Sequence, residues 1–220
     1  MSDFRVFFLG DRALQVVAVG TAPCPALSQT LQALSHYLRE LPSVSAAICA
    51  FDSVTLMLHP DTDALIALRQ VQRALAQEFK CPTQSLNRRH VIEFTRAPLD
   101  AEFQSDLAAL AAHAKRSERD WLAQFCSVSF TVAMIGFKPG FPYLLGLPEA
   151  LAMPRLAKPR ISVEKGSVAI GGGFAGIYPA RSAGGWHVLG ITEAMLFDPN
   201  RAEPCLFAAG DTVRFVQQDI

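Results

Sequence analysis

No apolar run in this chain approaches the roughly 18–20 residues needed to cross a bilayer as a helix. The opening Met1-Ser-Asp-Phe-Arg-Val-Phe-Phe-Leu-Gly has too short an apolar stretch, and no basic cluster before it, for a secretory leader. The expected location is therefore cytoplasmic, with no membrane partner. Charge of one sign is also lacking: 20 basic residues balance 20 acidic ones, so no overall field draws the chain to nucleic acid. Cysteine is sparse and scattered, at Cys24, Cys49, Cys81, Cys126 and Cys205 with no C-x-x-C. That pattern argues against a disulfide framework or a zinc site, and each thiol is expected to be a small buried hydrophobe. The five histidines, His36, His59, His90, His113 and His187, stand alone. Nucleotide-loop, zincin and nucleophile-elbow motifs are missing, so no metal and no catalytic nucleophile or base is inferred.

What is there is globular: half of the 220 residues are hydrophobic and 18% charged. Arg5 to Leu9 and Ala13 to Val19 read as strands around a Gly10-Asp11 turn. A helix from about 26 to 41 carries Leu27, Leu31, Leu34, Leu38 and Leu41 on one face and ends at Pro42-Ser43. Val44 to Ala50 and Ser53 to Leu58 form a second strand pair. A second helix, about 61 to 79, shows Leu65, Leu68, Val71 and Leu75 as its stripe, with Asp61 and Asp63 at its positive end. The pattern predicts a small α+β unit with one sheet face covered. Cys81 to Asn87 is the expected linker. Beyond it, Arg89 to Phe94 reads as a strand, and Leu99 to Ala114 and Ser117 to Phe125 as helices. Ser117 with Asp120 resembles a capping box. Val128, Phe130, Val132 and Met134 alternate as a half-buried strand.

At Gly136 the composition changes. Eleven of the fourteen glycines lie between Gly136 and Gly190, and the apolar runs between them are short, as in a β barrel or sandwich. Gly171-Gly-Gly-Phe-Ala-Gly176 fits G-x-G-x-x-G, but the dinucleotide fingerprint requires a helix next, and Ile177-Tyr-Pro179 follows instead. These glycines are expected to permit close backbone approach. The run Gly136-Phe-Lys-Pro-Gly-Phe-Pro-Tyr-Leu-Leu-Gly-Leu-Pro148 predicts a stiff loop, because proline sets φ and glycine permits positive φ. Its rings Phe137, Phe141 and Tyr143 either plug a core or line a pocket. Arg155 and Arg160, each fixed by a preceding proline, offer planar donors to a carboxylate or phosphate, or simply meet solvent.

The ordered set GFKPGFPYLLGLP, the two Pro-Arg pairs, GSVAIGG, GIYP, GGWHVLG and GDTVRF resembles the KipI / allophanate hydrolase subunit 1 family, which includes the B subunit of 5-oxoprolinase. The likeness covers residues 136 to 216, with a Gly-Asp-Arg-Ala-Leu opening at residues 10 to 14. It implies a fold of the α+β class: a ferredoxin-like α+β domain over 1–85 and a cyclophilin-like β-barrel domain of carboxyltransferase type over 86–220. It implies one component of an ATP-dependent 5-oxoprolinase, inactive alone, working with a C subunit that carries a related barrel and with an A subunit. ATP would be handled with the partner. The same domain pair also occurs with urea carboxylase, and one member inhibits a sporulation sensor kinase. A non-catalytic regulator and a diverged component of an amide-handling system are therefore the alternatives. The expected site for a small carboxylate or amide comprises Arg155, Arg160, Phe137, Pro139, Gly140, Phe141, Tyr143, Tyr178, Gly185 and Trp186. The chain departs from the family pattern where Phe125 and Phe130 replace a histidine and a tyrosine, and Phe174 a glutamine. Glu164 and Ala183 stand where prolines are usual. If the three phenylalanines wall the pocket, it has lost hydrogen-bonding groups.

Overall fold

In a computed structural model, residues 3–77, 88–96 and 106–218 are described. The chain divides into two compact units, Met1–Leu86 and Asn87–Ile220. The linker expected at 81–87 and the first residues of the helix expected at 99–114 lie outside the described residues.

The first unit contains β1 (Asp3–Phe8), β2 (Ala13–Val19), α1 (Pro25–Arg39), β3 (Val44–Cys49), β4 (Ser53–Leu58) and α2 (Ala64–Ala76). Its sheet runs β1-β2-β4-β3, antiparallel throughout. Gly10 turns between the first two strands at φ +69°. Both helices pack on one face of the sheet through an aliphatic core that includes Leu14, Val16, Leu31, Leu34, Leu38, Leu56 and Val71. Pro25 opens α1, where a missing N–H is harmless, and the Cys24 thiol accepts the Leu27 N–H at 3.4 Å. Cys24 is thus a cap, and Cys24, Cys49, Cys126 and Cys205 are half-buried rather than enclosed.

Helix α2 corrects an expectation. Asp63 is its cap, its carboxylate accepting the Leu65 and Ile66 N–H groups at 2.8 and 3.2 Å. The fully buried stripe is Ala67, Val71 and Ala74, Leu68 and Leu75 pack partly against the same core as expected, and Leu65 is 58% exposed. At about 100° per residue, Leu65 sits roughly 200° from Ala67. It faces outward, and the small residues face the sheet.

The second unit contains β5 (Arg89–Arg96), α3 (Leu107–His113), α4 (Glu118–Ser127), β6 (Phe130–Ile135), β7 (Pro142–Leu145), β8 (Arg160–Val163), β9 (Ser167–Gly171), β10 (Phe174–Ile177), β11 (Ser182–Gly184), β12 (His187–Ile191) and β13 (Thr212–Gln218). Seven strands close a barrel in the order β10-β7-β6-β13-β5-β12-β9, and β8 with β11 forms a separate two-stranded ribbon. Strands β5 and β13 pair in parallel, against the antiparallel pairing of their barrel neighbours. The α+β class with a β barrel is the architecture expected from the sequence. Ser117 caps α4: its hydroxyl accepts the Asp120 N–H at 3.1 Å and donates to the Asp120 carboxylate at 2.7 Å.

All seven barrel strands feed one core, through residues such as Ile92, Phe94, Phe130, Val132, Leu144, Val168, Ile170, Ile177, Leu189, Val213 and Phe215. A cluster fed by every strand of a closed barrel is its interior, and α3 and α4 join it through Leu107, Leu110, Trp121 and Phe125. The start of β5 is tied to the turn before β13 by Asp211, which accepts from Arg88, Ala208 and His90. Burial alone would raise the Asp211 pKa, but these bonds bring it below the ordinary carboxylate value.

Candidate functional site

Strands β9 and β12 alternate, so residues flanking the interior ones face outward. Val168, Ile170 and Leu189 point into the barrel, while Ala169 and Val188 belong to a second cluster with Phe141, Val163, Tyr178 and Trp186. This outer cluster is the candidate site.

Trp186 lies flat against the wall because glycine leaves room for it. A Cβ at Gly171 would stand 2.6 Å from the indole, and one at Gly176 would stand 2.9 Å from both Trp186 and Phe141. Real Cβ atoms do not approach so closely, so the Gly-rich run is a seat for the indole. A strand, β10, follows it, as the rejection of a dinucleotide loop requires.

The loop between β6 and β7 is built from two fused turns. The Lys138 N–H donates to the Gly136 carbonyl at 2.7 Å, closing a γ-turn about Phe137. Phe137 has φ +64° there, a region that bulky residues avoid. The Phe141 N–H donates to the Lys138 carbonyl at 3.0 Å. Pro139 and Gly140, with Gly140 at φ +83°, occupy the central positions of this type II pattern. Gly140 also abuts Phe197 and the Leu196 carbonyl, at 2.8 and 2.9 Å from where a Cβ would be. The result is a rigid loop that holds Phe137 57% exposed at its tip.

The rings meet edge to face. Centroids lie 5.4 Å apart for Phe137–Phe141, 6.3 Å for Phe137–Tyr178, 5.3 Å for Phe141–Tyr178, 5.4 Å for Phe141–Trp186 and 5.7 Å for Tyr143–Trp186. Phe174 adds to the edge at 6.3 Å from Tyr143. Burial raises the pKa of both tyrosines, partly offset by the Arg155 charge. They therefore remain neutral at pH 7 and place no negative charge beside the arginine.

Arg155 is exposed, with its guanidinium carbon 5.8 Å from the Trp186 ring centroid. It takes part in none of the ion pairs among the described residues. Arg160 differs. Its guanidinium donates to the Asp106 carboxylate at 2.7 Å and to the Trp186 carbonyl at 3.3 Å. The other Asp106 oxygen accepts the Val188 N–H at 2.7 Å. Arg160 stands beside the cluster but is committed to fastening Asp106 to β12, which leaves Arg155, of the two arginines, as the one presented to a ligand.

Of the residues expected from sequence, Phe137, Pro139, Gly140, Phe141, Tyr143, Tyr178, Trp186 and Arg155 share this outer surface. Gly185 contributes through its carbonyl, which accepts the Leu156 N–H at 2.8 Å. Phe125 and Phe130 do not wall the site. Both are wholly buried in the barrel interior, 5.2 Å from each other and packed on Phe215. Their departure from the family pattern therefore removes no hydrogen bond from the outer surface; of the three phenylalanines, only Phe174 reaches it. Sequence reasoning missed Asp106, which has no local signal and meets Arg160 across 54 positions.

A separate open cleft of about 810 Å³ runs beside α4 and the ends of β5 and β13, lined by Arg96, Glu118, Arg119, Leu122, Cys126 and Val216 among others. No expected site residue lines it, and Arg96 and Glu118 pair with each other. Among the described residues, no group of three or more potential metal-ligating side chains occurs, and no helix is long and apolar enough to cross a membrane.

Residues 4–207 match the family described as carboxyltransferase domain, subdomain C and D. The B subunit of 5-oxoprolinase from Escherichia coli O157:H7 is 37% identical over 221 residues, covering 99% of this chain and 98% of its own length. The protein of the same name in Haemophilus influenzae is 35% identical over 208 residues, 92% of this chain and 94% of its own. The crystal structure of TTHA0988 superposes with a TM-score of 0.77 at 29% identity; the match covers 94% of this chain and 40% of that one.

Proposed function

Because the chain belongs to the carboxyltransferase domain, subdomain C and D family, we propose that it is the B subunit of an ATP-dependent 5-oxoprolinase. The reaction converts 5-oxo-L-proline, ATP and two waters to L-glutamate, ADP and phosphate, and the A and C subunits act with this chain. The observation that carries the reading is the 37% identity to the Escherichia coli protein over nearly the whole of both chains.

The geometry suggests what this chain contributes. 5-Oxoproline is a small, nearly flat lactam with one carboxylate. Arg155 over Trp186 offers a charge-assisted donor to that carboxylate. The exposed ring of Phe137 supplies an apolar wall to the lactam, and a prebuilt loop loses little ordering entropy when a ligand arrives. The ATP-dependent step falls to the partner subunits in this reading, with the present chain binding and orienting.

Reconstitution tests it. Purified chain is mixed with its cognate A and C subunits, ATP and 5-oxoproline, and glutamate is measured with each component omitted in turn. Glutamate from the full set, lost when this chain is left out, is the expected result. No glutamate from the full set would favour the regulatory alternative, and glutamate from this chain alone would refute its dependence on partners.

A further inference from the structure

We propose that His187 is a positioning residue for Arg155, holding the arginine over Trp186 from the opposite side of the strand. The inference rests on the outer cluster being the ligand site. Residues 153–156 form a strap that runs past 185–187 in reverse order. The Leu156 N–H donates to the Gly185 carbonyl at 2.8 Å, Arg155 lies over Trp186, and His187 Nε2 meets the Pro154 carbonyl at 2.9 Å. At the other end, the Gly172 N–H donates to the Met153 carbonyl at 2.8 Å. Of these ties, the one from His187 is made by a side chain, and it falls on the residue that carries Arg155 on its C-terminal side.

The chemistry of the contact fixes the tautomer. A proline carbonyl only accepts, so Nε2 carries the proton and donates. The other ring nitrogen, Nδ1, is buried without a hydrogen-bond partner among the described residues. His187 as a whole is 3% exposed. A buried polar nitrogen left unmatched is unfavourable, and an apolar side chain would fill the space without it. The useful part of this histidine is therefore its one N–H, aimed at the peptide that sets where the exposed, flexible Arg155 side chain begins.

The test uses the full chain, with the Trp186 indole N–H resonance as the reporter, assigned by its loss in Trp186→Phe. His187→Leu removes the donor, while His187→Gln restores one near the Nε2 position. His187→Leu should move the indole signal in the direction that Arg155→Ala moves it, and should produce no further movement in an Arg155→Ala background. His187→Gln should leave the signal near its wild-type place. In calorimetry with 5-oxoproline as probe, His187→Leu should weaken binding about tenfold, as loss of one charge-assisted contact does, with no further loss when combined with Arg155→Ala. The proposal is overturned if the indole is unmoved, if it moves equally without Arg155, if the Gln variant behaves as the Leu variant, or if neither variant folds. If wild-type chain binds no 5-oxoproline while the indole shifts follow the pattern above, the positioning role stands and the assignment of 5-oxoproline binding to this surface falls.

Discussion

The barrel carries two aromatic clusters, one in its interior and one outside it, and they are built on opposite principles. Inside, Phe94, Phe125, Phe130, Phe215 and Trp121 are fully buried, with Phe125 stacked at 5.1 Å on Phe215 and 5.6 Å on Trp121. There is no charge and no tyrosine among them. Outside, Phe137, Phe141, Tyr143, Tyr178 and Trp186 are joined by a cation and held partly by a strained turn. Both are apolar enough to look alike in a sequence. The inner cluster releases apolar surface from water and nothing more; the outer one keeps one ring and one guanidinium in solvent, which stability does not require.

The contrast is tested most severely from the inside. Phe215→Ala should destabilise the chain by about 3–5 kcal/mol, the range for emptying a buried phenylalanine site, read as a lower chemical-denaturation midpoint. If the interior tolerated that change with a loss under about 1 kcal/mol, the division into a structural and a ligand-facing cluster would fail.

On the outer face the two arginines should separate binding from folding. Arg155→Ala should weaken 5-oxoproline binding by about 1.5–3 kcal/mol, the scale of a hydrogen bond to a charged group, with unfolding changed by less than about 0.5 kcal/mol. Arg160→Ala should do the reverse, because Asp106 is 14% exposed at its side chain and would lose its ion-pair partner. Equal effects of the two substitutions on binding, measured by calorimetry, would show that Arg160 also reaches ligand.

The glycine seat gives a finer comparison inside one motif. Gly171→Ala puts a methyl into the Trp186 ring, whereas a Cβ on Gly173 meets nothing within 4 Å. Gly171→Ala should cost about 1–3 kcal/mol as overpacking and perturb the near-ultraviolet dichroism of the indole. Gly173→Ala should change stability by less than about 0.5 kcal/mol. A silent Gly171→Ala would mean that the indole is not seated on this wall.

These cases also mark what the sequence could reveal. Strands β2 and β4 were legible to the residue, and Leu27, Leu31, Leu34 and Leu38 turn inward on α1 as their spacing predicts. Period and turn chemistry are local signals, and local signals survive folding. On α2 the expected stripe holds at Val71, and Leu68 and Leu75 pack partly against the core, but Leu65 faces outward while alanine at 67 and 74 faces the sheet. Bulk misled where small residues make the contact. Phe130 shares its strand face with Val132, so its inward direction was available from alternation; the reading that placed it in the pocket set a family comparison above that parity. The aromatic loop and Trp186 were legible as stiff and ring-rich, but Asp106 and the His187 tie depend on contacts across 54 and 33 positions, which no local pattern encodes.

The smallest expected effect on stability is the sharpest test of the outer face, because it sets a large ring against a strained backbone. Phe137 touches Phe141 and Tyr178 edge to face but is 57% exposed, so its removal forfeits only part of a ring's burial. In return, Phe137→Gly places at φ +64° the residue that adopts positive φ without steric penalty, relieving strain on the order of 1 kcal/mol. The two terms oppose each other, and the net change in unfolding free energy should be under about 1 kcal/mol in either direction. That is far below the Phe215→Ala loss, although a phenylalanine is deleted in both. Binding should respond differently: without the ring the lactam loses one wall, and 5-oxoproline affinity should fall about threefold to tenfold, as for one partly buried apolar contact. A Phe137→Gly chain that unfolds as readily as Phe215→Ala, by denaturation midpoint, would make Phe137 part of the core. One that keeps both stability and affinity would leave the strained turn without a role in this site.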